Sequence, residues 1–225
     1  MTGKLFIVGT PIGNLEDITF RAVRTLKEVD LILCEDTRVT RRLLEKYEIQ
    51  NKQLTTYNEE RSGVAIEKIA EWLEDGKNVA LVSDAGTPGI SDPGTYLVQK
   101  IREVLPEVGI ESVPGPSALT AALSIAGVPV SDFVFLGFLP HKKGRETLFK
   151  EIAVSERAMI FYESPHRILK TLESLEKHSP QKKVTIAREL TKVFEQIISG
   201  TASELLKYFE ANRDKVRGEF VVIAH

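Results

Sequence analysis

The apolar run Asn78–Val82 passes directly into SDAGTPGISDPG, Ser83 to Gly94, and this junction restricts the chain to few architectures. The segment holds three glycines, two prolines and two aspartates. Glycine admits positive φ and close approach by another group, whereas proline stiffens the path. Such a segment packs poorly as core, and a plain turn has no need of both aspartates. A stiff, polar loop at the carboxyl end of a strand is where α/β sheets take small molecules.

The rest of the first half repeats the pattern of short β-branched runs alternating with helical periods. Strands are expected at Leu5–Val8, Leu31–Cys34, Gln53–Tyr57, Asn78–Val82 and Ile110–Val113. Between them lie helices near Ile18–Val29, Arg38–Tyr47, Val64–Glu74 and Thr95–Val104, with another at Ser117–Ala126 ending on Gly127. In the third of these, Val64, Ile66, Ile69, Ala70 and Leu73 share one face, and Trp72 reads as core. This order predicts a mostly parallel sheet covered on both faces. Gly127–Asp132 reads as a connector. Beyond it come strands at Phe133–Phe138, Met159–Tyr162, Val184–Arg188, Glu195–Ser199 and Glu219–Ala224, with helices Arg145–Val154, His166–Lys177 and Ala202–Phe209. Closer strand spacing there predicts a mixed sheet. The expectation is two αβα-type domains, 1–116 and 117–225, with a ligand cleft between them.

Composition removes several function classes. A hydrophobic fraction of 42% and a charged fraction of 28% describe a soluble globular protein. No apolar run approaches the roughly 18 residues of a membrane span, and the strand-like KLFIVG start is not a signal peptide. Cys34 is the single cysteine, which excludes an internal disulfide and fits a reducing cytoplasm. The four histidines are scattered without ligand spacing, so no metal is expected. A net charge of −2 does not advertise nucleic acid, although a local basic face is compatible with it.

Three glycine-bearing loops follow strands of the first half: GTPIGN (Gly9–Asn14), Ser83–Gly94 and PGPSA (Pro114–Ala118). In a parallel sheet all three would meet at one edge. The P-loop string is absent, GTPIGN spaces its glycines wrongly for a dinucleotide fingerprint, and no GxSxG elbow occurs. A glycine-lined, weakly charged site with acidic groups suits a neutral or cationic nucleoside ligand.

In order along the chain, GTPIGNLEDITFRA, CEDTR, SDAGTPGISDPG, VPGPSA, FLGFLP, YESPHR and ARELTK resemble the tetrapyrrole methylase superfamily, the class III methyltransferase fold. Within it they are similar to the members that methylate a cytidine ribose 2′-hydroxyl of 16S rRNA in the small ribosomal subunit. The resemblance spans Leu5 to Val222. It implies S-adenosylmethionine as methyl donor, a homodimer, and a donor pocket using Pro11, Asp84, Gly86, Ile90, Ser117, Ala118, Phe161, Tyr162 and Leu190. Phe161 reads equally well as a strand-core aromatic. A C-methyltransferase acting on a tetrapyrrole would share donor and fold, and a ribosome assembly factor could bind the donor without turnover.

Methyl transfer needs alignment more than a protein nucleophile, since the donor carries the activation. A ribose hydroxyl also needs a base for its proton. Candidates are Glu35, Asp36, Glu163, His166 and Glu189, although His166 could instead cap its helix and Glu35–Asp36 could open one. Basic residues suited to rRNA phosphates are Arg38 with Arg41 and Arg42, the loop residues Lys142, Lys143 and Arg145, and Arg167, Arg188 and Lys192.

Overall fold

The computed structural model describes residues 2–58, 62–129 and 131–225, and the side chains of residues 62–65 lie outside the description. The expected place of Val64 on its helix face therefore falls outside it, as does Val130 in the connector. The chain divides into two compact units, Met1–Ser117 and Ala118–His225.

The first unit runs β1 (Lys4–Val8), α1 (Phe20–Glu28), β2 (Leu31–Cys34), α2 (Thr37–Lys46), β3 (Gln53–Thr56), α3 (Ser62–Glu74), β4 (Val79–Val82), α4 (Thr95–Val104) and β5 (Gly109–Val113). Its strands are all parallel, in the order β3-β2-β4-β1-β5. Parallel strands need crossovers, and the intervening helices supply them. Strand residues alternate between two cores, as a period of two requires. Leu31, Leu33, Val79 and Leu81 pack with Ile69 and Leu73 of α3 and with Leu97 and Ile101 of α4. Ile32, Cys34, Ala80 and Val82 pack with Ala22 and Leu26 of α1 and with Leu43 and Leu44 of α2. Trp72 packs, half-buried, against the first of these cores.

Capping moves the helix starts from their expected positions. Ile18–Val29 begins instead at Phe20, because Thr19 is the N-cap and its hydroxyl accepts from the Ala22 N–H. Leu15–Asp17 forms a separate 3-10 turn, capped by the Asn14 side chain.

The second unit runs α5 (Ala118–Ile125), β6 (Phe133–Phe138), α6 (Arg145–Val154), β7 (Ala158–Glu163), α7 (Ile168–His178), β8 (Lys183–Arg188), β9 (Gln196–Thr201), α8 (Ala202–Ala211) and β10 (Phe220–Ala224). Its sheet is mixed, in the order β6-β7-β10-β8-β9, with only β6 and β7 parallel. One face carries α6, α7 and α8 over a core that includes Phe149, Phe161, Leu172, Phe209 and Phe220. Helix α5 packs against β10. Helix α8 opens with a capping box of Thr201 and Glu204. Helix α7 begins at Ile168 rather than His166, because Pro165–Arg167 form a turn and Arg167 is the N-cap.

Candidate functional site

At the carboxyl edge of the first sheet the three glycine loops are tied to one another. Thr10 and Gly86 exchange backbone hydrogen bonds of 2.8 and 3.1 Å, and Gly9 N–H donates to the Val113 carbonyl at 3.0 Å. A Cβ on Gly9 would stand 2.7 Å from Gly115 Cα, so only glycine permits this approach. The Thr87 hydroxyl donates to the Pro116 carbonyl, 3.2 Å away. Gly86 itself has φ +89°, a conformation that favours glycine. The loops thus form one braced ledge, with Ile90 exposed on it.

The ends of β2 and β4 bring three carboxylates to the same edge. The Asp36 N–H donates to Asp84 Oδ1 at 3.0 Å, and the Asp84 N–H donates to Glu35 Oε1 at 3.3 Å. Burial raises the Glu35 carboxyl pKa, opposed by the Asp84 N–H and reinforced by the Asp84 charge. Hydrogen bonds from the Arg38 side chain and N–H hold the Asp36 carboxyl at about 2. Asp36 also caps α2, as the dipole reading expects. The Arg38 side chain is 86% exposed.

Beside these groups lies a recess of about 290 Å³, its open mouth included. Pro11, Leu15, Val39 and Leu43 give it apolar walls, and Thr10, Thr40, Ser83 and Asp84 its polar ones. The Thr10 hydroxyl donates to the Ser83 and Gly86 carbonyls, and the Ser83 hydroxyl to that of Gly86. Thr40 is 3% exposed, and its hydroxyl has no hydrogen bond of ordinary geometry. Its polar neighbour is the Cys34 sulfur, a weak partner whose own proton points to the Thr55 carbonyl. Thr40 and its neighbours Val39 and Leu43 were not singled out from the sequence. The usable signal was a threonine at an apolar α2 position, two residues after CEDTR.

In the second unit several expected site residues are engaged internally. The Glu163 carboxylate, fully buried, accepts from the Thr171 hydroxyl at 2.6 Å and from Arg145 at 3.3 Å. Arg167 Nε lies 2.7 Å from the same carboxylate, off the hydrogen-bond direction, which makes it an ion pair. The two arginines also donate to the Pro140 and Leu139 carbonyls, fastening the end of FLGFLP. Arg188 is buried and donates to the Arg217 and Phe194 carbonyls. Lys192 bridges Glu189 and Glu219. Burial alone would raise the Glu189 pKa, but the Lys192 ammonium and the Glu219 N–H outweigh it and lower the carboxyl overall. Glu189 and Thr191 have φ values of 52° and 64°. A Cβ at Gly218 would strike the Glu189 side chain at 2.1 Å. The Phe161 ring is buried among the helix-side core, which is the strand-core alternative, while Tyr162 packs edge-on against Phe135 and Phe138. Leu190 is buried. His166 is exposed in its turn, and Lys142 and Lys143 are exposed on their loop. Of the expected donor residues, Pro11, Asp84, Gly86, Ile90 and Ser117 belong to the first unit. Ala118, Phe161, Tyr162 and Leu190 belong to the second. Among the described residues no three His, Cys, Asp or Glu side chains are grouped to hold a metal, and no helix is long and apolar enough to cross a membrane.

The family model for Tetrapyrrole (Corrin/Porphyrin) Methylases matches residues 4–206. A Thermotoga maritima protein named Ribosomal RNA small subunit methyltransferase I is 50% identical over 98% of this chain and 97% of its own. The chain belongs to the tetrapyrrole methylase family, in its ribosomal RNA small subunit methyltransferase I branch. A Bacillus subtilis relative of that name is 43% identical over 98% of this chain and 74% of its own. Solved tetrapyrrole methylases share the fold. The methyltransferase CobJ gives a TM-score of 0.71 at 23% identity, covering 99% of this chain and 94% of that one. The uroporphyrin-III C-methyltransferase of Thermus thermophilus, solved with S-adenosyl homocysteine, gives 0.65 at 16% identity, covering 98% and 97%.

Proposed function

We propose that the chain methylates the ribose 2′-hydroxyl of a cytidine in the 16S rRNA of the small ribosomal subunit, with S-adenosylmethionine as donor. The observation that carries this reading is the 50% identity to the Thermotoga maritima methyltransferase along nearly the whole of both chains. The homodimer and the cytoplasmic location expected from the sequence belong to the same reading, and light scattering on the purified protein tests the first.

The ledge fits the donor. Ile90 offers apolar surface, and the carboxylates of Glu35, Asp36 and Asp84 suit a cationic sulfonium and ribose hydroxyls. When bound, the donor supplies an electrophilic methyl group. In the first unit, Gly86, Ile90 and Ser117 would hold it, with Pro11 and Asp84 on the border of the recess beside α2. Glu35 takes the proton that leaves the ribose hydroxyl, because burial raises its pKa whereas Arg38 holds the neighbouring Asp36 low. The exposed Lys142 and Lys143 grip rRNA phosphates.

Incubation with labelled S-adenosylmethionine and either unmodified small subunits or a porphyrinogen tests the reading. Label on an rRNA ribose, mapped to one cytidine, is expected. Label on the macrocycle, or on neither, overturns it.

A further inference from the structure

The FLGFLP segment closes β6 with an irregularity that turns one aromatic ring. Phe135 pairs with Ile160 and Phe138 with Tyr162, so three steps along β6 match two along β7. Gly137 takes up the extra residue with a φ of 61°, in the left-handed region. On an undisturbed strand, residues three apart face opposite sides of the sheet. The bulge instead sets Phe138 on the side of Phe135. Both rings meet that of Tyr162 edge-on, with 5.0 Å between centroids for Phe135 and 5.4 Å for Phe138. Val134 and Leu136 pack against the core beneath α6, α7 and α8, so the three rings occupy the opposite face. Phe138 is 54% exposed, the most open of the three. A lone exposed aromatic is ordinary, whereas a bulge that brings a ring out onto an aromatic pair is a built feature.

The chain around this ring carries cations and no carboxylates. From Phe133 to Arg145 there is no Asp or Glu, and Lys142 and Lys143 are exposed within five residues of Phe138. Between ring and lysines, Arg167 and Arg145 fasten the Leu139 and Pro140 carbonyls, so all three side chains stand on one short, braced span. An open aromatic ring beside positive charge is how proteins hold single-stranded RNA, the ring taking a base and the cations the phosphates. We propose that Phe138 stacks on a base of the single-stranded rRNA segment that carries the acceptor nucleotide, with Tyr162 bracing the ring and Lys142 and Lys143 on neighbouring phosphates. The inference rests on the rRNA methyltransferase reading above and adds to it a residue that holds the substrate. Every base has a π-face, so this contact supplies affinity and placement rather than sequence choice.

Phe138→Leu and Phe138→Tyr separate stacking from plain apolar contact. Binding to unmodified small subunits should weaken roughly fivefold to hundredfold in Phe138→Leu, the worth of one stacked base, and stay near wild type in Phe138→Tyr. The salt slope should match wild type in both, since no phosphate contact is lost. Affinity for S-adenosylmethionine and the melting temperature should not move. A short single-stranded RNA carrying 2-aminopurine gives the direct readout. Wild type and Phe138→Tyr should quench its fluorescence, and Phe138→Leu should not. Unchanged affinity and quenching in Phe138→Leu overturn the platform even if rRNA methylation stands. Equal loss in both variants, or an altered light-scattering mass with rRNA affinity intact, would make the ring a packing or protein contact and overturn it too. Quenching that depends on Phe138, without any methyl transfer to rRNA, would instead sustain the platform and sink the methyltransferase reading.

Discussion

Glu35, Asp36 and Glu189 look alike in sequence as candidate bases, and their surroundings separate them. Glu35 is pushed up by burial, Asp36 is held at about 2 by Arg38, and Glu189 is drawn down by Lys192 and the Glu219 N–H against the effect of burial. Glu35→Gln should therefore lower kcat by roughly 10²- to 10⁴-fold with the donor affinity unchanged. Full turnover in this variant would remove Glu35 from the reaction. The wild-type rate should fall as pH drops through the Glu35 pKa, with that limb above the ordinary carboxylate range. Stability should carry the matching sign. A carboxyl whose folded pKa exceeds its unfolded one is penalised once pH rises through the folded value, and unaffected below the unfolded value. Glu35→Gln should thus melt higher than wild type at neutral pH and alike in acid, as read by thermal unfolding at both. The carboxylates themselves were legible in CEDTR. The proton affinity of Glu35 was not, because it is set by burial and by Asp84, 49 residues away.

Among elements, β7 and α7 are joined by a charge cluster that sequence reading assigns to catalysis and RNA. Glu163 ends β7 with a fully buried side chain, and Arg145 and Arg167 approach it with side chains only 14% and 16% exposed. Removing the carboxylate charge leaves two largely buried guanidiniums facing one another. Glu163→Gln should destabilise the protein by about 3 kcal/mol, the low end for a broken buried pair, since both arginines keep some water. Urea unfolding checks this, and a loss below about 1 kcal/mol would be the range of a surface pair rather than a buried one. The helices and strands here were legible to within a residue or two, because periodicity and caps are local signals. YESPHR and the basic loop were legible as motifs, but their charges were read as facing outward. Only the packing of α6 and α7 on β7 turns Arg145 and Arg167 inward.

For the molecule as a whole, rRNA affinity should depend on the cations that remain exposed. Lys142→Ala with Lys143→Ala should weaken binding to small subunits and reduce the salt slope by about one to two, roughly one for each phosphate left without its lysine. A salt titration with an unchanged slope would show that this loop does not meet the RNA. Arg145→Gln should behave differently, with lower stability as its main effect, because its guanidinium is tied to Glu163, Thr171 and Pro140.

The alternation of strands and helices, the parallel first sheet, the mixed second sheet and the three loops at one edge all follow from the order of residues along the chain. So do the family motifs. These features rest on short-range physics: side-chain periodicity, capping, and the backbone freedom of glycine. The tertiary structure alone decided which charges face water and which carboxylate is raised in basicity by burial. Each of those depends on groups contributed by different strands, and their desolvation and pairing exist only once the crossovers have brought them together.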